Sequence, residues 1–350
     1  MLEGIQLLRG LAAILVVLFH VASKQRGDYG LSLPILGSFA SFGYSGVDLF
    51  FVLSGFVIAW ITWPSHTVPS QVPRFLLKRV VRIFPTFWIV WIISAIVFVG
   101  YLNVEFYRVR PGSIFLNMCS SMLLLNPSIH TIIPQAWTLS WELLFYAIFS
   151  VFLVSPRRWF LPGLLLIPLD DFCLHFIAGG LVGFAVREYP ARRPFPFIAA
   201  GIISWAIVML GMAIGYLHAP TPLSRFGYFG TASAVLVYGL SSLDLRSPPS
   251  YPRPLLFLGD ASYCIYLIHI TVIFAMQSRI PHIFSHLGHI AWAFGAILLS
   301  LGAGCALHAW VERPMLSGLR RMSGAKQCAM LAVAAMAMIG VAWFFQSRHA

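Results

Sequence analysis

The sequence predicts an all-α, polytopic integral membrane bundle of about 10–11 transmembrane helices. Three observations carry that prediction. Of the 350 residues, 59% are hydrophobic and only 10% charged, where a soluble domain carries about 25% charged residues. Mean hydropathy is +0.84, more apolar surface than a water-soluble fold can hide, so the bilayer is the main solvent. The apolar residues fall into runs near the ~20 residues that cross a bilayer as a helix, separated by short arginine-bearing loops.

Spans are expected near residues 5–24, 44–63, 84–102, 139–155, 159–170, 172–186, 195–217, 226–243, 255–277, 289–311 and 328–346. The last of these is read as the final membrane helix. The first resembles a signal peptide in place only: it lacks a small-residue cleavage site, so it is kept as a span. The loops carry five basic clusters: Arg74, Lys78, Arg79 and Arg82; Arg157 and Arg158; Arg187, Arg192 and Arg193; Arg246 with Arg253; and Arg313, Arg320, Arg321 and Lys326. The positive-inside rule places all five in the cytoplasm, with the N-terminus also inside. That assignment allows one crossing between residues 102 and 157. The stretch 113–125, short and holding Asn117, Ser120 and Ser121, is therefore expected as a re-entrant or interfacial helix. Residues 1–350 read as one membrane-embedded domain without a soluble domain.

The net charge of +12 would point to nucleic acid in a soluble protein. Here no separate basic domain exists to bind it, and cytoplasmic loops beside anionic lipid explain the excess. The five cysteines form no CxxC pair and read as small buried hydrophobes. His282, His286 and His289 have a spacing a metal could use, but no carboxylate stands nearby, and no metal is expected.

Ionisable groups inside spans are rare and usually functional. Arg9 and His20 are eleven residues apart, just over three turns, so they share one helix face about 16 Å apart along the axis. Arg9 falls near the cytoplasmic end, where it could also snorkel to headgroups. His20 lies towards the outer half. Asp48, in the outer quarter of the second span, is expected at the depth of His20, where a contact would orient the imidazole. Glu142 is expected as a third ionisable group at outer-leaflet depth. Trp137 reads as a pocket residue or an interface anchor. Gly46, Ser54 and Gly55 suit close helix contact. Arg74, Arg79 and Arg82 can grip phosphate through bidentate bonds, or act only as topogenic charge. Tyr263, Tyr266 and His269 fall on one helix flank and can bond neighbouring helices.

Six motifs, in order, resemble the acyltransferase-3 membrane acyltransferases, and the single-domain form resembles the exopolysaccharide O-acetyltransferase branch. They are Arg9 with His20; Gly46-Val47-Asp48 through Ser54-Gly55-Phe56; Arg79 and Arg82 followed by Phe84-Pro85; Trp137-Thr138-Leu139 through Glu142 to Phe145-Tyr146; Ser262-Tyr263 through Tyr266-Leu267 to His269; and Glu312-Arg313-Pro314. The resemblance implies acetyl-CoA as a cytosolic acyl donor, a carbohydrate hydroxyl as acceptor, and the bacterial cytoplasmic membrane as location. On that reading Arg74, Arg79 and Arg82 hold the phosphates of coenzyme A. His20 acts as general base or as acyl carrier. Arg9 orients the donor arm, and Asp48 or Glu142 orients the imidazole. Ser54, Trp137, Tyr263, Tyr266 and His269 line the pocket. The expected partners are the carbohydrate, membrane lipids and proteins of polysaccharide export, with no nucleic acid. The rival reading is a flippase for a lipid-linked glycan, with the same charged residues as its path; the chain shows no inverted repeat to support it.

Overall fold

The computed structural model describes residues 2–29, 40, 42–62, 71–101, 114–125, 132–154, 171–217, 221–277 and 286–349. Among these residues every regular element is helical. In chain order they are α1 (Glu3–Tyr29), α2 (Ser45–Thr62), α3 (Val72–Ala95), α4 (Ile114–Met122), α5 (Trp137–Val154), α6 (Asp171–Glu188), α7 (Phe195–Ala213), α8 (Pro222–Arg225), α9 (Thr231–Arg246), α10 (Arg253–Gln277), α11 (His286–Leu307), α12 (Arg313–Arg320) and α13 (Gly324–His349). Helices suit this sequence because each one satisfies its backbone internally where no water can. Three π-helical segments interrupt the series, at Ile96–Tyr101, Phe226–Gly230 and His308–Glu312.

The protein is a multi-pass membrane protein. Among the described residues, eight helices are long and apolar enough to cross: Glu3–Gln25, Ser45–Thr62, Val72–Phe98, Phe195–Ala213, Leu223–Arg246, Arg253–Gln277, Gly288–Arg320 and Gly324–Val341. α5 and α6, of 18 residues each, cover most of the expected spans 139–155 and 172–186. The expected span 159–170, with Arg157 and Arg158, lies outside the described residues, as does His282. One boundary moves. The third span was expected from residue 84, but α3 begins at Val72 with Pro73 in its first turn, where a missing N–H costs nothing. The basic cluster of Arg74, Lys78, Arg79 and Arg82 therefore rides on the helix itself.

α4 is nine residues long, about 14 Å, and cannot cross a ~30 Å hydrocarbon layer. It ends in a left-handed turn at Leu124, φ 54°. Trp88 Nε1 donates to Met122 O at 3.0 Å, tying that end to α3, and Met118 and Met122 are fully buried. This is the short non-crossing helix expected at 113–125.

Glycine sets the closest packing. A Cβ on Gly55 of α2 would stand 2.0 Å from Phe176 O, and one on Gly179 of α6 would stand 1.9 Å from Val52 O. Such backbone approach is how helices associate where lipid is as apolar as any side chain. Gly46 meets α1 in the same way, 2.5 Å from Ala12 O. A Gly55→Val chain is therefore expected to lose most of its folded yield, read by size-exclusion chromatography in detergent; overpacking of this kind costs about 1–3 kcal/mol or more. Around this centre packs an aromatic core that includes Phe51, Phe87, Trp91 and Phe145. By contrast α7 leaves Ile202, Ile203, Ile207 and Leu210 more than half exposed, a face for lipid.

Candidate active site

His20 stands on α1 opposite α10. Its Nδ1 lies 2.9 Å from Val16 O, and a carbonyl only accepts, so Nδ1 carries the proton. His269 on α10 repeats the arrangement: its Nδ1 lies 2.7 Å from Tyr266 O, which leaves His269 Nε2 bare. That bare nitrogen is 3.3 Å from His20 Nδ1, close enough to share the one Nδ1 proton with Val16 O as a second, weaker acceptor. The rings meet edge to face with centroids 4.9 Å apart. By this geometry, the nitrogen of His20 left with a free lone pair is Nε2.

Below the pair, α10 grips the start of α5. Gln135 Nε2 donates to Tyr266 O at 3.2 Å and to Leu267 O at 2.7 Å. The Tyr266 hydroxyl donates to Gln135 O at 3.1 Å and lies 2.9 Å from Thr138 Oγ1. Tyr263, one turn further along α10, donates to Ile83 O on α3 at 2.8 Å. The flank of Tyr263, Tyr266 and His269 thus bonds three different helices, α3, α5 and α1.

A second cluster surrounds Arg9. Its Nη1 donates to Gln6 Oε1 at 3.4 Å, and Gln6 Nε2 donates to Asp260 Oδ1 at 2.5 Å. Arg82, Glu142, Glu312 and Asp260 lie within its electrostatic reach. Glu142 Oε1 accepts from the Tyr146 hydroxyl and, at 3.4 Å, from Ser54 Oγ. Glu142 was expected beside His20. It lies one turn past Thr138, in the field shared by Arg9, Tyr263 and Arg82.

The basic cluster is divided in its commitments. Arg82 Nη1 donates to Glu312 Oε1, and its guanidinium sits 5.3 Å from the Tyr263 ring. Glu312, fully buried, also lies 2.6 Å from His308 Nδ1 and accepts from Cys264 Sγ at 3.2 Å. Cys264 is therefore more than a small hydrophobe. With His308 and Glu312 it forms, among the described residues, a group close enough to share a metal, but the Arg82 guanidinium already supplies the countercharge. Arg79 differs: its guanidinium lies over the rings of Phe75, at 5.2 Å, and Tyr146, at 5.4 Å, while its buried Nε has no hydrogen-bond partner among the described residues. Arg74 is exposed.

Asp48 turns away from His20, contrary to the depth-matched contact expected from counting. It is fully buried and receives Arg225 Nε at 2.8 Å and Nη2 at 3.1 Å, and His175 Nε2 lies 2.9 Å from its Oδ1. The Arg225 guanidinium is stacked between Tyr44, at 5.1 Å, and Phe172, at 4.9 Å. Trp137 lies against Phe172 with centroids 4.9 Å apart, inside this aromatic cluster rather than at a lipid interface. Arg225 and His175 were not anticipated. His175, buried within a span, obeys the same rule that singled out His20; Arg225 carries no local signal.

Comparison with known proteins decides the family. The acyltransferase domain model matches residues 2–169 and 157–309. The chain belongs to the acyltransferase-3 family. It is 30% identical over 332 residues to the exopolysaccharide production protein ExoZ of Rhizobium meliloti (strain 1021), covering 86% of this chain and 94% of that protein. It is 25% identical to the acyltransferase MdmB of Streptomyces mycarofaciens, covering 90% and 91%. It is also 25% identical to nodulation protein 10 of Rhizobium leguminosarum bv. viciae, covering 66% and 72%. No solved structure matches. Membership makes this an acyltransferase.

Proposed function

We propose that this acyltransferase-3 protein moves an acetyl group from acetyl-CoA to a hydroxyl of a cell-surface or exopolysaccharide sugar, in the bacterial inner membrane, with its N-terminus in the cytoplasm. The observation that carries the reading is the free Nε2 lone pair of His20. A sugar hydroxyl is a poor nucleophile at neutral pH and needs a base as it attacks. His20 Nε2 takes the hydroxyl proton while the sugar oxygen bonds to the thioester carbonyl carbon. The carbon–sulfur bond then breaks, and the proton leaves His20 for the departing thiolate. The bond to Val16 O and the contact with His269 hold the ring so that Nε2 stays the free nitrogen. The name of the exopolysaccharide production relative supports a carbohydrate acceptor.

Donor binding falls to Arg79 and Arg74. The buried Nε of Arg79, without a partner among the described residues, suits a phosphate oxygen, since a buried donor left unpaired is costly. Arg82, engaged by Glu312, positions the inner end of α10 and α3 instead of gripping phosphate. Arg9, about 16 Å below His20 along α1, orients the pantetheine arm between them. Arg79→Gln should raise the KM for acetyl-CoA about tenfold, the worth of a hydrogen bond to a charged group, with kcat little changed. Steady-state kinetics in nanodiscs check this. An unchanged KM would make the cluster purely topogenic and remove the support for donor binding there.

A further inference from the structure

Two basic clusters that are far apart in sequence meet in one groove of about 790 Å³, lined by Arg192, Arg193 and Arg246 together with Phe195, Leu243 and Pro249. Among the described residues, no acid lines it. Asp244, two residues from Arg246 on α9, is committed elsewhere: its Oδ2 accepts from Gly4 N at 2.7 Å and its Oδ1 from the Tyr251 hydroxyl at 2.8 Å. Glu188, at the end of α6, is exposed.

The loop that carries the first two arginines is fastened to α9 at three points. Tyr238 donates its hydroxyl to Tyr189 O at 2.6 Å, Arg246 Nη2 donates to Pro190 O at 2.9 Å, and Ala191 N donates to Ser242 Oγ at 3.0 Å. Topogenic charge needs only to be present in a loop and has no use for such fastening. A fastened basic groove has the arrangement of a binding site for phosphate groups. Directly beyond it α7 begins, with Phe195 at 68% exposure and Ile202, Ile203, Ile207 and Leu210 bare along its length. A cationic groove that runs into an uncovered apolar helix face matches the two ends of one kind of molecule.

We infer that this groove is a phospholipid site that holds an anionic, phosphate-bearing headgroup on Arg192, Arg193 and Arg246 and lays the acyl chains along α7. Basic pockets at the ends of membrane helices take such lipids, and each arginine near the surface is worth about a fivefold gain in affinity. A headgroup with two phosphates uses the three guanidiniums best, so cardiolipin is the preferred probe. The site is separate from the histidine pair and does not depend on acyl transfer.

The test uses full-length protein, purified and delipidated in detergent, titrated with cardiolipin, with phosphatidylethanolamine, or with cardiolipin in the presence of coenzyme A, and read by native mass spectrometry. Cardiolipin should bind about tenfold or more tightly than phosphatidylethanolamine, and coenzyme A should leave it in place. Arg246 also holds the loop, so the informative variant is Arg192→Gln with Arg193→Gln, which keeps all three fastening bonds. It should weaken cardiolipin binding about 25-fold while leaving phosphatidylethanolamine unchanged. Equal binding by the variant, no preference between the lipids, or displacement of cardiolipin by coenzyme A would each overturn the assignment; the last would give the groove to a soluble phosphate ligand.

Discussion

Replacing His20 by alanine is expected to lower acetyl transfer by about 10²–10⁴-fold, the usual contribution of a positioned general base, while the bundle stays folded. Both halves follow from the geometry. The imidazole is bonded to the carbonyl of Val16 within its own helix and to His269 Nε2. Removing it leaves His269 with one unfilled acceptor, a loss of about 1–3 kcal/mol. No buried charge is exposed, and of the contacts between α1 and α10 only the one with His269 is lost. The KM for acetyl-CoA should stay near its wild-type value, because the donor phosphates are assigned to the far end of the bundle. The measurement is a kcat and KM comparison in nanodiscs, paired with a thermal melt. A variant that melts like the wild type and still transfers acetyl groups at its rate would remove His20 from the mechanism.

Asp48→Ala should have the largest effect on stability. Asp48 has no exposed surface, and the two Arg225 bonds and the His175 contact converge on its carboxylate. Deleting one partner of a buried ion pair leaves the other uncompensated and costs about 3–5 kcal/mol, a large share of the 5–15 kcal/mol that holds a typical protein folded. The purified yield and the melting temperature should both fall sharply. The double variant Asp48→Leu with Arg225→Met removes both charges at once and should recover much of the loss, because apolar replacement of a buried pair is often neutral. A double variant no more stable than Asp48→Ala would show that the cluster acts through something other than charge pairing. The acid in the Gly46-Val47-Asp48 motif is a clamp between α2, α6 and the end of α8, and it reaches the chemistry only by holding those helices.

How much of this could be read in the sequence divides along a physical line. The spans, the short helix at 113–125 and the shared face of Arg9 and His20 follow from composition and helical periodicity, which are local. The flank of Tyr263, Tyr266 and His269 was equally legible, although the three helices it bonds were not. The errors arose where position along the membrane normal was used to infer neighbours. Asp48 and His20 were matched by depth, yet a helix has a direction around its axis as well as a height, and Asp48 points to α6 and Arg225. Glu142 was placed by its distance from the end of its span. Its neighbours are set by the turn at Pro134–Ala136, which Gln135 pins to the Tyr266 and Leu267 carbonyls. For Arg82 the sequence offers phosphate binding or topogenic charge, and its pairing with Glu312, 230 residues away, carries no local signal. His175 and Glu312, both ionisable and inside spans, were open to the rule that found His20. Arg225 was not, since nothing around it marks a residue that will cross 177 positions to meet Asp48.

The central claim is that this chain itself moves an acetyl group to a sugar. The most direct measurement gives purified wild-type protein acetyl-CoA labelled in the acetyl group together with extracted host glycan, and follows label and free coenzyme A over time. The account predicts label in an alkali-labile ester on the glycan, with one coenzyme A released for each acetyl group transferred. Glycan that stays unlabelled with no coenzyme A released, while the same protein carries lipid-linked glycan across a vesicle membrane, would contradict it and make the charged residues of the bundle a transport path.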